Sequence, residues 1–152
     1  MLFIIGLLSP EPVKQNATTT QNTSTATEDE FNKTFATYGA AGEFSKMYTD
    51  LVASDVKATV TEAKFVSDFT ALKPCLEALN DAEKQGFSGV VVNYDNGVKK
   101  YTFSSDETNN LGDGKTSSNK CTLSWYIKKS SANKWELELG SSVANAKVIT
   151  TK

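Results

Sequence analysis

The chain of 152 residues contains no histidine and no arginine, so all sixteen of its basic residues are lysines. Without histidine it lacks the one side chain that titrates near neutral pH unperturbed, which is also the commonest zinc ligand. Without arginine it lacks the planar fork that grips phosphates and carboxylates bidentately. Lysine, aspartate and glutamate can do acid–base work when buried, but the two absences together point away from an enzyme. A net charge of −2 excludes a global basic field for nucleic acid. Phosphate-cradling motifs are missing too: Gly112-Asp113-Gly114-Lys115 lacks the required glycine spacing. The oxygen-rich run from Asp106 to Gly114 lacks the spacing of a helix–loop–helix calcium site and reads as a solvated loop. No cofactor and no metal is expected.

A long hydrophobic run is also lacking. Residues 1–9, MLFIIGLLS, are almost purely apolar, but nine residues reach only about 14 Å as a helix, under half the hydrocarbon thickness. Neither a leading lysine nor a clear small-x-small site makes the segment a signal peptide. It reads as the tail of a longer hydrophobic segment or a short interfacial anchor; a buried first strand through Phe3, Ile4 and Ile5 is the plainer alternative. Pro10-Glu11-Pro12 stops any helix. Residues 15–27 are Asn, Gln, Thr, Ser and Ala only, too polar to offset the entropy of ordering, so 10–27 reads as a flexible stalk. An apolar end, a proline break and a polar tether before a folded domain (28–152) is the layout of an exported domain anchored to a membrane through its N-terminus. Three Asn-x-Ser/Thr sequons begin at Asn16, Asn22 and Asn32, candidate glycan sites if the cell glycosylates.

The folded part opens at Thr27, whose hydroxyl and the following Glu28-Asp29-Glu30 make a capping box with an acidic first turn. Phe31, Phe35 and Tyr38 then fall at helical spacing. Gly39 and Gly42 interrupt before Phe44, Met47, Tyr48, Leu51 and Val52 resume it. From Val56 to Leu72 helix and strand signals mix, because Val56, Thr59, Val60 and Thr61 are β-branched; Pro74 closes the segment. Cys75, Leu76 and Leu79 head a further helix ending at Gly86. The period then changes from 3.6 to 2. Residues 89–94 and 98–103 flank Asp95-Asn96-Gly97, a strong hairpin signal. Residues 104–120 read as a long polar loop. Cys121, Leu123, Trp125 and Ile127 alternate with polar residues, Trp135, Leu137 and Leu139 do so again, and 143–151 closes as a last strand. The fold class expected is α+β, N-terminal helices packed on a C-terminal antiparallel meander with one face covered.

The two cysteines, Cys75 and Cys121, head a helix and a strand. In an oxidising compartment a disulfide between them would pin the two layers together; two buried thiols are the alternative. With no histidine available, a catalytic thiol is not expected. Trp125 and Trp135 are expected to oppose one another under the helices. Tyr126 points to the other sheet face and, with Lys128 and Lys129, is the candidate surface for a protein partner or self-assembly.

The run from Phe44 through Tyr48, Leu51, Ser54 and Asp55, a helix from Phe69 to Leu79, the strand Cys121–Ile127 and the closing Trp135-Glu136-Leu137-Glu138-Leu139 together resemble the nuclear-transport-factor-like (cystatin-like) domains of anchored bacterial lipoproteins and periplasmic proteins. Asn133-Lys134 stands where Gly-Lys is commoner in that pattern. The resemblance covers about residues 28–140 and implies a cone-like α+β architecture. Its motifs are structural; enzymatic members use an Asp or His in the cone, which leaves only Asp55 or Asp68 here. The layout also resembles pilin-type filament subunits, although the 10–27 stretch breaks the continuous helix those need. Both resemblances imply a non-catalytic surface or periplasmic domain.

Overall fold

The computed structural model describes residues 27–87 and 89–152, so the apolar segment 1–9, the stalk up to residue 26 and the sequons at Asn16 and Asn22 lie outside the described residues. Helices come first: α1 (Glu28–Ala41), α2 (Phe44–Leu51), α3 (Ser54–Lys57), α4 (Glu62–Thr70) and α5 (Lys73–Lys84). Strands follow: β1 (Val90–Tyr94), β2 (Lys99–Gly112), β3 (Lys115–Lys129), β4 (Trp135–Glu138) and β5 (Val148–Thr151). The strands form one antiparallel sheet in the order β4-β3-β2-β1-β5. The expected α+β arrangement is what the chain adopts.

Local chemistry explains the helix boundaries. Thr27 is extended, and its hydroxyl accepts from the Glu30 amide at 3.2 Å, starting α1 anew. Gly42, at φ 75°, ends it in the left-handed conformation that glycine adopts without strain. The ambiguous stretch after Val52 is helical only in pieces: the single turn α3, then α4 capped by Thr61. Pro74 does not close that stretch but opens the next, in the first turn of α5, where a missing amide hydrogen costs nothing. Gly39 has a different reason. A Cβ there would stand 2.9 Å from three carbons of Leu76, a fully buried residue on α5, so the two helices cross where there is no side chain. Gly39→Ala is therefore expected to destabilise by about 1–2 kcal/mol, overpacking outweighing the gain in helix propensity, as measured by urea unfolding.

The helices cover one face of the sheet. Tyr101, Phe103, Leu123, Trp125, Ile127 and Leu137 point inward and pack in one core with Phe31, Phe35, Phe44, Met47, Leu76 and Leu79. The sheet's β4 edge is covered where the Ala53 amide donates to the Leu137 carbonyl at 3.1 Å.

Three expectations about the strands need correction. Residues 104–120 are not a loop: β2 and β3 continue as a ladder through Thr108↔Ser118 to Asn110↔Thr116, turning at Asp113 and Gly114, both at positive φ. Its sequence is polar and carries no apolar alternation to betray it. Trp125 and Trp135 do not oppose one another either. Trp125 stands across from Tyr101 and Trp135 across from Lys129. The last strand is also shorter than 143–151, because a 3-10 turn occupies Gly140–Val143.

Candidate functional site

Cys75, in the first turn of α5, and Cys121, on β3 opposite Ser105, are joined in a disulfide across a Cα separation of 5.6 Å. This covalent tie between helical layer and sheet is the chemistry of an oxidising compartment. Among the described residues no helix is long and apolar enough to cross a membrane.

The space between the layers is filled. Trp125 lies between Phe35 (ring centroids 5.2 Å apart, stacked) and Tyr101 (5.5 Å, stacked). Phe65 and Phe69 stack at 4.3 Å, and Phe69 meets Phe35 edge-on. The polar atoms that enter this core satisfy one another. The Trp125 indole Nε1 donates to Asn32 Oδ1 at 2.9 Å. The Tyr101 hydroxyl donates to Glu28 Oε2 at 2.6 Å, while Lys99 Nζ reaches Glu28 Oε1 at 2.9 Å. Among the described residues Asn32 is the one buried polar residue. Its sequon is thus no surface acceptor in the folded state, since the side chain that would carry the glycan is buried.

Burial, then the hydrogen bond to Glu28 and the charge of that carboxylate, pushes the Tyr101 hydroxyl well above the ordinary tyrosine range. A raised folded-state value means the stabilisation is complete below the ordinary tyrosine pKa of about 10 and is lost as pH climbs past it. The urea midpoint is expected to fall above about pH 10, and Tyr101→Phe to flatten part of that fall. Identical alkaline profiles for variant and parent would show that this hydroxyl does not couple to folding.

The two aspartates that the resemblance left as candidates do not enter the core. Asp55 is exposed and accepts from the Val56 amide at 3.0 Å; Asp68 is paired with Lys64 at 2.8 Å on the outside of α4. Among the described residues no three metal-ligating side chains cluster.

The three partner-surface candidates are divided by the pleat. Tyr126 and Lys128 stand on the outer, helix-free face of the sheet, Tyr126 across from Lys100 and Glu138, Lys128 across from Glu136. Lys100 Nζ lies 5.9 Å from the Tyr126 ring, and Gly140 lies against its edge. Burial, then the charge of Asp55, pushes the Glu138 carboxyl up. Lys129 belongs to the other face, where its ammonium covers the Trp135 ring at 5.3 Å, joined by Lys99 at 5.7 Å. A feature that the sequence reading missed is the segment after β4. Because β4 and β5 occupy opposite edges, residues 139–147 cross the outer face, held by Asn96 Nδ2 donating to the Ser142 carbonyl at 2.8 Å. Val98, outward by strand parity, is only 1% exposed there. No sequence pattern marks this crossing; the strand order reveals it.

Protein-family models, curated proteins and solved structures were all compared with this chain, and none matches it.

Proposed function

We propose that this chain is a non-catalytic binding or accessory domain, exported and held at the cell surface or in the periplasm, that engages a protein partner. The observation that carries the reading is the solid aromatic packing between helices and sheet. With Phe35, Phe65, Phe69 and Trp125 in contact, the centre between helices and sheet is filled with aromatic rings, and recognition falls to the surface and the cavities that open on it. The interlayer disulfide supports export, and the resemblance to domains of anchored lipoproteins and periplasmic proteins agrees with it. The outer sheet face around Tyr126 and Lys128 is the surface we assign to the partner. Fractionating cells that express the chain and alkylating free thiols tests the compartment: the protein is expected in the exported fraction with neither cysteine modified. Recovery in the cytosol with both thiols alkylated would overturn the reading.

A second reading, a subunit of a surface filament, is favoured by one feature. The edge strand β5 exposes Val148 and Ile149, at 56% and 63%, and an apolar unpaired edge invites strand pairing. The fresh N-cap at Thr27 argues against a pilin-like design, which needs one helix continuous with the chain before it. Sedimentation at high concentration decides: assembly abolished by Ile149→Lys supports the filament, and a monomer at all concentrations removes it.

A further inference from the structure

A cavity of about 360 Å³ opens beside the first two turns of α1, between the last turn of α5 and strands β1 and β2. Its lining changes character with depth. Trp125, Phe87 and Tyr101 supply aromatic surface, and the buried Asn32 lies among them. The Oδ1 of Asn32 is taken up by the Trp125 indole, which leaves the amide end of this buried side chain as a donor beside the cavity. At the rim stand Asp29, Lys33 and Glu83, two carboxylates against one ammonium.

Glu83 is the odd member. It is half-buried, and its carboxylate makes no hydrogen bond and no ion pair with the described residues. Asp29 and Lys33 also make none, so neither satisfies Glu83 at contact distance although all three face one opening. Burial, reinforced by the charge of Asp29 and only partly opposed by Lys33, pushes the Glu83 carboxyl up. Elsewhere beside this cavity the buried polar atoms have partners: the Tyr101 hydroxyl on Glu28 and the Trp125 indole on Asn32. An under-satisfied carboxylate at the lip of an aromatic-floored cavity is a feature that a bound cation would complete.

We infer that this cavity is a binding site for a small organic cation, an ammonium group on a flat apolar body, with Glu83 and Asp29 receiving the charge and Phe87 and Trp125 the body. The rim selects the sign: a ligand anion would meet two carboxylates and one ammonium, whereas a cation relieves their mutual repulsion. The floor selects the shape, since aromatic faces accept both a flat ring and the positive charge attached to it. Asn32 offers its amide group as a donor to an acceptor on the ligand. Lys33, beside the same opening, limits the affinity and favours a ligand with a second, weakly negative or carbonyl-bearing end. This site is separate from the outer-face partner surface, so either can fail alone.

Two probes with one ring and opposite charge test it, tryptamine and indole-3-propionate, titrated at neutral pH into uniformly ¹⁵N-labelled protein. Tryptamine is expected to shift the Trp125 indole and Asn32 amide signals saturably in the millimolar range, at least about tenfold more tightly than the propionate. Glu83→Gln should weaken tryptamine by about tenfold. The same substitution should leave unfolding by urea unchanged or slightly harder, because it removes a charge that the fold does not satisfy. Tryptamine binding should strengthen as pH rises through the raised range of Glu83, since only the ionised carboxylate attracts the ammonium. Should Glu83→Gln lose its dispersed spectrum, Asp29→Asn, on an exposed residue, carries the test and is also expected to weaken tryptamine. Equal affinity for the two probes, unaltered binding in a folded Glu83→Gln variant, shifts confined to residues away from the cavity, or no saturable shift would each overturn the assignment.

Discussion

Replacing Phe35 with alanine is expected to lower the unfolding free energy by about 3–5 kcal/mol, a third or more of the stability of a typical domain of this size. Phe35 sits on the inward stripe of α1 with none of its surface exposed. Its ring stacks on Trp125 at 5.2 Å and meets Phe69 edge-on at 6.2 Å, so it joins the sheet to both α1 and α4. Truncation removes the transfer energy of the ring and leaves a void. The neighbours cannot collapse into that void freely, because Trp125 is held by its bond to Asn32 and α5 is tied to the sheet by the disulfide. The aromatic geometry adds about 0.5–1.5 kcal/mol beyond area alone. Phe35→Leu, which keeps most of the volume, should cost about half as much. Urea unfolding followed by tryptophan fluorescence gives both numbers. A loss below about 1 kcal/mol for the alanine variant would mean that α1 is not seated on the sheet as described.

Removing the disulfide is the second large effect, and it works through the unfolded chain. Cys75 and Cys121 are 46 residues apart, and closing a loop of that length restricts the denatured ensemble by about 4 kcal/mol in the chain-entropy account, an upper figure. The double variant Cys75→Ala/Cys121→Ala is expected to lose about 2–4 kcal/mol, and its Tm should fall by about 10–15 °C. Reductant should lower the stability of the parent toward the same value and leave the double variant unmoved. A parent indifferent to reductant would sink the idea that this bond stabilises the domain. The bridge joins α5 to β3 at the pair Ser105↔Cys121, from which the β2–β3 ladder continues to its turn at Asp113 and Gly114.

The fold class was legible because both halves obey a simple period. Phe31, Phe35 and Tyr38 mark a helix as clearly as Leu123, Trp125 and Ile127 mark a strand. The Thr27 cap and the Asn96-Gly97 hairpin are local chemistry that works the same way in any fold. Residues 104–120 failed the same test for a physical reason. Hydrophobic alternation reports a buried face rather than a strand, and the mostly polar residues of this ribbon carry no such alternation. The partner surface was only half legible. Period-2 alternation put Tyr126 and Lys128 outward, but Lys129 is one residue further on and belongs to the opposite face with Trp135.

Glu83 and Asn32 show the limit most clearly. In the sequence Glu83 is one more charged residue near a helix end and Asn32 one more polar residue on α1, and neither gives any sign of what lies across from it. Residue chemistry acting over a few neighbours determined the caps, the turns, the helix and strand faces and the absence of histidine and arginine chemistry. Tertiary structure alone decided which strands are edges, that Gly39 is where α1 meets Leu76, that Asn32 bonds to an indole 93 residues away, and that Glu83 faces a cavity with its charge unmet. The division follows the range of the forces: hydrogen bonds within a turn are written in adjacent residues, whereas burial and the pairing of buried charge depend on what the rest of the chain brings alongside.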